Sequence, residues 1–334
     1  MIEKKIMIAS GAMNKELILL LTNKEDLTAD FVVLELQKRG IPYYRFNTED
    51  FPTKVKASIF FDVDTLHGYI EDERHYIDMQ KVKSIWYRRP KRAILPEKFG
   101  DFKTFCINES WFFIRGFWES IDCFWVSHPY SLENARSKIK QLQVAKELGF
   151  DIPKTLITNQ PEEVRKFFDY LKGKMVVKPV KSGIVRGENN EFVIHTSKVN
   201  EEHLLNLEDL RFAPSIFQEL LPKKYDIRVT VIGQNVFPVE IHSQDNPDAM
   251  IDWRKPQDVD LVHKSHHLPP LLADKCLKLT RYYGLQFAAI DLVLTPDNQY
   301  YFLEINPNGQ WAWIQQKTGL PLTERLVDLL TGVQ

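Results

Sequence analysis

The sequence predicts an α/β (α+β) protein of 334 residues that is organised in three parts. A strand-helix-strand pattern opens the chain, a helix and short strands follow, and two long apolar strands joined by a turn lie near the C-terminus. A chain of this length is expected to form two or three domains. We place an N-terminal parallel α/β domain at residues 14–133, a central domain at 134–213 and a C-terminal antiparallel-sheet domain at 214–334.

The N-terminal part begins with a strand at residues 16–21, a helix at 28–39 closed by Gly40, and a strand at 43–46. No glycine-rich turn follows the first strand, which disfavours a dinucleotide site there. A further strand at 84–90 ends in Arg88 and Arg89. These two arginines are either a solvated strand end or cations that meet acidic groups in a cleft.

Composition favours a cytoplasmic protein that binds neither nucleic acid nor membrane. The net charge of -1 provides no basic surface for nucleic acid, and no apolar run is long enough to span a bilayer. The odd number of cysteines, three, predicts free thiols in a reducing compartment. Residues 1–13 end in Ser-Gly-Ala-Met, which is typical of an expression scar, and we exclude them from the fold.

The C-terminal strands carry the clearest chemical pattern. Asp291 lies in an apolar strand at 287–294, and Glu304 and Asn306 lie two residues apart after a turn, so all three can face one side of a hairpin. Burying two carboxylates without a cation is costly. Mg²⁺ favours carboxylate and amide oxygens and keeps positions for phosphate. The alternative is a solvated hairpin with its acids on the wet face.

The central part contains a pattern suited to phosphate. Lys178 emerges from a buried strand at 174–179, and the flexible segment with Lys181, Ser182 and Gly183 follows. A lysine charge and a loop of backbone amides can together hold phosphates. The Gly-Lys-Ser/Thr ending of a P-loop is absent. Taken alone, the lysine and proline after a strand are also compatible with a purely structural role.

Further candidates follow in the third part. Gln218 and Glu219, with Leu220 after them, suit a segment that hydrogen-bonds an adenine or ribose. Arg228 alternates with apolar residues in a hairpin at 225–237, and Arg254 follows an Asp-Trp pair. Both arginines are candidates to stabilise charge on a transferred phosphoryl group, with Lys178 as a third. We also assign Asp226 to the nucleotide site.

The order of these pieces resembles the ATP-grasp ligases over residues 134–330. The resemblance implies that Lys138 and Lys178 bind nucleotide phosphates and that Glu219 and Leu220 form the adenine-binding hinge. It also implies that two magnesium ions are bound by three oxygen-donor side chains, which are Asp291, Glu304 and Asn306. In such enzymes ATP phosphorylates a substrate carboxylate, and a nucleophile then attacks the acylphosphate to give an ester, amide or peptide bond with ADP and phosphate.

A narrower resemblance is to the macrocyclases of microviridin-type peptides, the graspetides. It rests on Trp-Tyr-Arg-Arg-Pro at 86–90, Ser-Gln at 243–244, Asp-Trp-Arg at 252–254 and the run 306–311. It implies a ribosomal precursor peptide with a leader and an acidic core, whose Asp or Glu side chains are joined to Thr or Ser hydroxyls or Lys amines. The residues that would contact this substrate are Arg88, Arg89, Ser243, Gln244, Asn308 and Trp311. We place leader docking on the hairpin at 227–241 and the helix before it.

Two other functions remain open. One is an amino-acid ligase that resembles the ribosomal-protein glutamate ligases, and the other is a non-catalytic nucleotide- and peptide-binding protein. His263, His266 and His267 favour a surface loop over a transition-metal site. The aromatic helix at 102–118 favours core packing or a subunit contact, and with it a homodimer.

Overall fold

The computed structural model describes residues 15–181, 183–187, 191–255 and 260–333. The chain forms two compact units, of which one contains residues up to Pro129 together with those from Pro321, and the other spans Tyr130–Leu320. The proposed expression scar and Ser182 lie outside the described residues. None of the described helices is both long and apolar enough to cross a membrane.

The first unit is built on a parallel sheet. Its strands are β1 (Leu17–Thr22), β2 (Tyr43–Asn47), β3 (Lys56–Phe61), β4 (Leu66–Glu71), β5 (Tyr76–Asp78), β6 (Val82–Tyr87) and β7 (Phe124–Val126). Its helices are α1 (Leu27–Lys38), α2 (Lys103–Glu119) and, from the far end of the chain, α9 (Leu322–Thr331).

The parallel sheet has the order β2-β1-β6-β7, and β3, β4 and β5 form a separate antiparallel sheet. The apolar strand β1 is buried, as is typical of a central parallel strand. Phe117 and Trp118 on α2 join Ile85 on β6 in the core. Helix α9 packs against α1 and β6, and the Ser84 hydroxyl donates a hydrogen bond to the Leu330 carbonyl at 2.8 Å.

The second unit contains three sheets. Its helices are α3 (Pro129–Asn134), which begins at the unit boundary, α4 (Lys138–Glu147), α5 (Pro161–Tyr170), α6 (Glu201–Leu205), α7 (Pro270–Tyr282) and α8 (Ala312–Thr318). Its strands are β8 (Thr155–Thr158), β9 (Met175–Pro179), β10 (Ile184–Arg186), β11 (Glu191–Val193), β12 (Ser197–Lys198), β13 (Ser215–Glu219), β14 (Tyr225–Ile232), β15 (Asn235–Ile241), β16 (His263–Ser265), β17 (Phe287–Leu294) and β18 (Tyr300–Asn306).

Antiparallel pairing organises this unit. One sheet has the order β12-β9-β13-β8, β10 and β11 form a hairpin, and the largest sheet has the order β16-β15-β14-β17-β18. Strand β17 is buried along its whole length, and α7 packs on its sheet. Strand β14 is paired on both sides and is almost wholly buried. The hairpin in which we placed leader docking therefore has no free edge at β14.

Most predicted elements lie within two residues of the observed ones. Two differences concern boundaries. The strand predicted at 84–90 ends at Tyr87, before the two arginines. Helix α9, which lies within the C-terminal domain that we placed at 214–334, packs in the first unit instead. Amphipathic periodicity locates a helix along the chain, but it does not identify the sheet on which the helix packs.

The cysteines are free thiols, as predicted. Cys276 on α7 is fully buried, and its burial raises the pKa of the thiol to about 12. Burial also raises the pKa of the Cys123 thiol to about 12. Because the thiolate is the reactive form, these two side chains behave as small apolar residues.

Two glycines of the first unit provide a matched test of its packing. A Cβ on Gly68 of β4 would lie 2.4 Å from the Met79 Sδ and 2.9 Å from a Phe117 ring carbon, whereas a Cβ on Gly116 of α2 would meet nothing within 4 Å. Overpacking of this kind costs about 1–3 kcal/mol. An alanine in place of an exposed helical glycine stabilises by up to about 1 kcal/mol.

We therefore expect Gly68→Ala to lower the midpoint of urea unfolding and Gly116→Ala to leave it unchanged or raise it. The measurement is tryptophan fluorescence, because Trp118 lies in this core. Equal midpoints for Gly68→Ala and the wild type would contradict the close packing of β4 on α2.

Candidate functional site

The centre of the site is a buried ion pair between two neighbouring strands. Arg228 on β14 lies directly opposite Asp291 on β17, and its Nη1 donates to both carboxylate oxygens of Asp291 at 2.7 Å. Both side chains are buried. On the other side of β17, Asp291 is paired with Glu304 of β18, as the sequence predicted. Three charged groups therefore lie side by side on one face of the sheet.

A bulge sets the register of β18. Asp291 pairs with Glu304 but Leu292 pairs with Phe302, so Leu303 is an extra residue in β18. On the far side of Glu304, the buried Gln141 side chain of α4 holds the Ile305 backbone, donating to its carbonyl at 2.8 Å and accepting from its amide at 3.2 Å. These bonds fix the segment on which Glu304 lies.

Asn306 ends β18 at an exposed position, with Ala289 as its cross-strand partner. Its Oδ1 accepts a hydrogen bond from the Asn308 amide at 3.1 Å, which shapes the turn that follows. The third predicted metal ligand therefore lies on the same hairpin as the two acids, with one of its oxygen lone pairs engaged in the turn.

Cations surround Glu304. The Lys138 Nζ lies 3.1 Å from Glu304 Oε2, and the Arg254 Nη1 lies 3.7 Å from Oε1. Burial alone would raise the pKa of Glu304, but the charges of Lys138, Arg254 and Lys178 outweigh it and lower the pKa to about 2. Glu304 is therefore ionised at neutral pH. Burial, with the charges of Lys138 and Arg254, lowers the pKa of Lys178 to about 8, although Glu304 opposes this.

The pKa of Asp291 is shifted in the other direction. Burial raises it, and the charge of Glu304 adds to the increase, whereas Arg228 opposes it. Two carboxylates on adjacent strands are thus stabilised differently, Asp291 by one buried guanidinium and Glu304 by several cations at the cavity. A bound cation near both would relieve the repulsion between them.

The donor set fits magnesium. Two carboxylates and an amide are oxygen ligands that Mg²⁺ accepts, and Mg²⁺ needs only one or two carboxylates when phosphates complete its shell. Within the described ranges, no three His, Cys, Asp or Glu side chains are grouped to hold a metal. His266 is instead engaged by Glu240 at 2.8 Å and by the Tyr300 hydroxyl at 2.8 Å. The surface loop that we expected here is wrong for His263, which is half-buried in β16 and paired with Ile241 of β15.

A second buried carboxylate lies further along β14. Asp226 accepts hydrogen bonds from the Lys223 Nζ at 2.9 Å and from the Ser243 hydroxyl at 2.5 Å. Lys223 also donates to the Ile251 carbonyl at 3.0 Å, and Gln244 donates to the Ser243 hydroxyl at 3.1 Å. Burial raises the pKa of Asp226, which Lys223 and Ser243 oppose. Ser243 is fully buried, so it acts on the cavity through Asp226.

The predicted adenine segment lies at the end of β13. The buried Gln218 side chain donates to the Thr155 hydroxyl at 2.9 Å, the Glu219 amide donates to the Lys154 carbonyl at 2.9 Å, and the Leu220 amide donates to the Lys174 carbonyl at 2.9 Å. The Leu220 amide is therefore not free for a ligand. Within the described part of the chain, the Leu221 amide has no acceptor, and Leu221 lines the cavity.

The glycine segment after Lys178 forms the base of the β10–β11 hairpin. The Ile194 amide donates to the Gly183 carbonyl at 2.7 Å, and a Cβ on Gly183 would lie 2.0 Å from the Ile194 oxygen. Only glycine permits this approach. Lys181 is exposed just before it, while Lys138 on α4 donates to the Pro179 carbonyl at 3.3 Å. The phosphate-binding candidates therefore lie around one strand end.

The two arginines of the first unit differ in environment. Arg88 is 1% exposed, its Nε lies 3.4 Å from an Asp26 oxygen, and burial lowers its pKa to about 10. Arg89 is exposed. The burial of Arg88 argues against direct substrate contact, because the guanidinium lies inside the unit with its own counter-ion. A strand-end pattern cannot separate an inward arginine from an outward one.

Trp311 also differs from the prediction that it contacts substrate. Its side chain is 0% exposed, and its carbonyl accepts hydrogen bonds from Ile314 and Gln315 at the start of α8. It therefore packs in the core and is not among the residues that line the cavity. Asn308 is half-buried in the turn after Asn306.

Three residues that the sequence analysis did not assign belong to this site. Lys223 and Asp252 line the cavity, and Asp252 holds the Arg254 guanidinium. A Cβ on Gly309 would lie 2.8 Å from the Arg228 Nη2, so this glycine allows the turn to pack on the ion pair. A carboxylate two residues before a candidate arginine, and a lysine three residues before a buried aspartate, were the available sequence signals.

The second unit contains a cavity of about 730 Å³, and many of the charged residues described above for this unit line it. Both acidic and basic side chains line its wall, and apolar residues such as Val176, Leu220 and Leu292 line the remainder. A cavity of this size is typical of sites for drug-sized ligands and nucleotides. The cavity is lined by Arg136, Lys138, Lys178, Lys181, Lys223, Arg254, Glu219, Asp226, Asp252, Asp291 and Glu304, among others.

Comparison with known families accounts for both parts of the chain. Residues 17–133 match the MvdD pre-ATP grasp domain, and residues 135–330 match the RimK-like ATP-grasp domain. Among curated proteins, a probable alpha-L-glutamate ligase of Citrobacter koseri is 22% identical over 218 residues, which are 63% of this chain and 68% of that protein.

Solved structures resemble the chain over nearly its whole length. A RiPP-associated ATP-grasp ligase of Chryseobacterium gregarium (RiPP, ribosomally synthesised and post-translationally modified peptide), in complex with ADP and a leader and core peptide, has a TM-score of 0.89 and 30% identity, covering 96% of this chain and 98% of its own. The macrocyclase MdnC of Microcystis aeruginosa, bound with the precursor peptide MdnA, has a TM-score of 0.83 and 31% identity, covering 95% and 99%. The predicted ATP-grasp fold is confirmed. The chain belongs to the RimK-like ATP-grasp family and, within it, to the RiPP-associated ATP-grasp ligases.

Proposed function

We propose that this protein is an ATP-dependent, ADP-forming ligase that makes macrocycles in a ribosomal precursor peptide. It phosphorylates Asp or Glu side-chain carboxylates and joins them to Thr or Ser hydroxyls or to Lys amines, giving ω-ester or ω-amide rings. One observation carries the substrate class. Similarity to the peptide-bound ligase of C. gregarium covers 96% of the chain, both units included, whereas similarity to the glutamate ligase covers 63%.

The charges of the cavity suit activation of a carboxylate. A free carboxylate resists attack, because the nucleophile meets negative charge and the leaving group would be oxide. Transfer of the γ-phosphoryl group from ATP to a carboxylate oxygen releases ADP and gives an acylphosphate. The hydroxyl or amine then attacks the acyl carbon, loses its proton, and expels phosphate. We propose that Arg254 and Lys178, which line the cavity, and Arg228, which holds the Asp291 carboxylate of the cavity wall, stabilise the charge that these steps spread over oxygen.

The nucleotide is expected to lie between the second unit's smaller and larger sheets. Lys138, Lys178 and Lys181 supply charge for its phosphates, and the β10–β11 hairpin begins at Gly183 beside them. Glu219 and Leu221 supply the hinge for the adenine. Lys223 and Asp226 also line the cavity.

Asp291, Glu304 and Asn306 would hold Mg²⁺, and we propose two ions. Bound there, magnesium would neutralise phosphate charge and orient the γ-phosphoryl group. The chain's own contribution is to keep Glu304 ionised through its surrounding cations and to hold Asp291 in place through Arg228.

An acidic core peptide is the substrate that fits the cations of this cavity. Arg254 is half-exposed, and Arg136 and Lys181 also line the wall, so they can meet carboxylates that approach from solvent. We further propose that Arg89, Gln244 and Asn308 contact the peptide, that the peptide carries a leader, and that the protein acts in the cytoplasm.

The test of this function is mass spectrometry of a precursor peptide, encoded beside the enzyme gene, after incubation with enzyme, ATP and Mg²⁺. We expect the loss of one water for each ring, with ADP formed in step. A gain of one glutamate residue would instead support the glutamate-ligase alternative. Unchanged peptide and ATP would support the non-catalytic alternative. Alkaline hydrolysis then separates esters from amides.

Asp291→Asn tests the ion pair and the metal assignment together. The variant removes the charge that balances Arg228 and weakens one ligand, so we expect peptide-dependent ADP formation to fall by about 10²-fold or more. Asp297→Asn is the matched control, because Asp297 lies exposed in the turn of the same hairpin. Wild-type turnover by a folded Asp291→Asn variant, as judged by circular dichroism, would refute the assignment.

We also propose that the protein is a homodimer that associates through α2. Phe105 and Phe112 are 62% and 67% exposed, and their spacing of seven residues places them on one face of the helix. We expect sedimentation equilibrium to show a dimer for the wild type and a monomer for Phe105→Ser combined with Phe112→Ser. Leu34→Ser on α1, where Leu34 is 64% exposed, should stay dimeric. A wild-type monomer would contradict the proposal.

A further inference from the structure

The Asp252 carboxylate is the most heavily hydrogen-bonded acid of the cavity wall. It is 4% exposed, and both of its oxygens accept hydrogen bonds from the Arg254 guanidinium. Oδ1 accepts from Nε at 2.8 Å, and Oδ2 accepts from Nη2 at 2.9 Å. Oδ1 also accepts from the Arg254 backbone amide at 3.1 Å. This fork geometry fixes the plane of the guanidinium as well as its position.

The same carboxylate is also bound from the hairpin side. Its Oδ2 accepts a hydrogen bond from the Thr196 amide at 3.1 Å, and the His195 Nδ1 lies 3.8 Å away. Thr196 lies between β11 and β12, two residues after Ile194, which closes the base of the hairpin on Gly183. The next residue, Ser197, pairs with Val177 on β9, the strand that carries Lys178.

Arg254 by itself has little to hold it. Its side chain is 49% exposed, and among the described residues it also lies near Glu304, at 3.7 Å from Nη1, and within electrostatic range of Asp291. A long side chain so exposed loses rotamer freedom when it is held in one place. A buried carboxylate on the adjoining backbone removes that freedom before any substrate arrives.

We infer that Asp252 is a positioning residue that holds the Arg254 guanidinium against Glu304 and ties it to the hairpin backbone at Thr196. Asp252 touches no reacting atom. It couples two parts of the site, because one carboxylate accepts from the arginine that faces Glu304 and from the backbone that continues from the Gly183 hairpin. The inference rests on the proposed function where it concerns peptide-dependent turnover.

Three variants separate the two sets of hydrogen bonds that Asp252 accepts, those from Arg254 (the arginine arm) and the one from the Thr196 amide (the hairpin arm). Asp252→Asn weakens both arms, because the neutral amide keeps only one acceptor oxygen, Arg254→Ala removes only the arginine arm, and the combined variant tests whether Asp252 acts through Arg254. We expect each single variant to lower kcat for peptide-dependent ADP formation about 10- to 100-fold, and the combined variant to be no slower than Arg254→Ala. Asp252→Glu, which keeps the charge, should be intermediate. Asp245→Asn is the control, since Asp245 is largely exposed and does not contact Arg254.

Hydrogen exchange tests the hairpin arm without any substrate. The peptide that contains residues 194–196 should exchange faster in Asp252→Asn than in the wild type, and at the wild-type rate in Arg254→Ala. This pattern would not follow from general destabilisation, which would affect both variants and distant peptides alike. Melting temperatures recorded beside it identify any variant that has lost its fold, and Asp252→Glu then replaces Asp252→Asn in the comparison.

Two results would overturn the inference. One is a combined variant whose loss is the product of the single losses, which would mean that the two residues act independently. The other is unchanged exchange at 194–196 in Asp252→Asn. If the wild-type enzyme leaves the peptide unmodified, the proposed function fails, while the exchange experiment still decides the role of Asp252.

Discussion

The ion pair between Arg228 and Asp291 is the interaction on which the rest of the site depends. It joins β14 to β17, two strands that are buried along almost their whole length, where an unpaired charge would be strongly destabilising. Each partner therefore requires the other. Gly309 packs closely on the same two strands, because a Cβ there would lie 2.6 Å from the Ala289 Cβ of β17 and 2.8 Å from the Arg228 Nη2. The turn after β18 thus contains glycine where it lies against both β17 and the ion pair.

Glu304 extends this pair into the cavity by a different means. Its counter-ions come from three separate elements, with Lys138 at the start of α4, Lys178 on β9 and Arg254 in a loop. The pKa of about 2 reflects their combined charge, since burial alone would shift it upward. A carboxylate held ionised by several cations can exchange one of them for a metal or for a phosphate-bound metal with little loss. Of the two carboxylates, Asp291 is the one that is held in place by a single buried arginine.

The sequence predicts what depends on local pattern. Alternation along β17 and β18 was enough to place Asp291 opposite Glu304, and the same reasoning located most helices and strands within two residues. It could not predict which side chains turn inward. Arg88 and Trp311 were expected to meet substrate but are buried, and the Leu220 amide is used by Lys174. These outcomes depend on tertiary packing and on hydrogen bonds between segments far apart in sequence, which a single chain of letters does not display.

The site therefore combines charged side chains on paired strands with a charged side chain on a loop, and the two kinds are held in place by different contacts. Arg228 and Asp291 lie on paired strands and need only each other. Arg254 lies on a loop and is half-exposed, so its orientation has to be supplied by a neighbouring carboxylate. Because that carboxylate also binds the Thr196 amide, the loop arginine and the hairpin base share one anchor. The loop arginine and the hairpin base are thus held to each other by Asp252, while Arg228 and Asp291 are held by the pairing of β14 with β17.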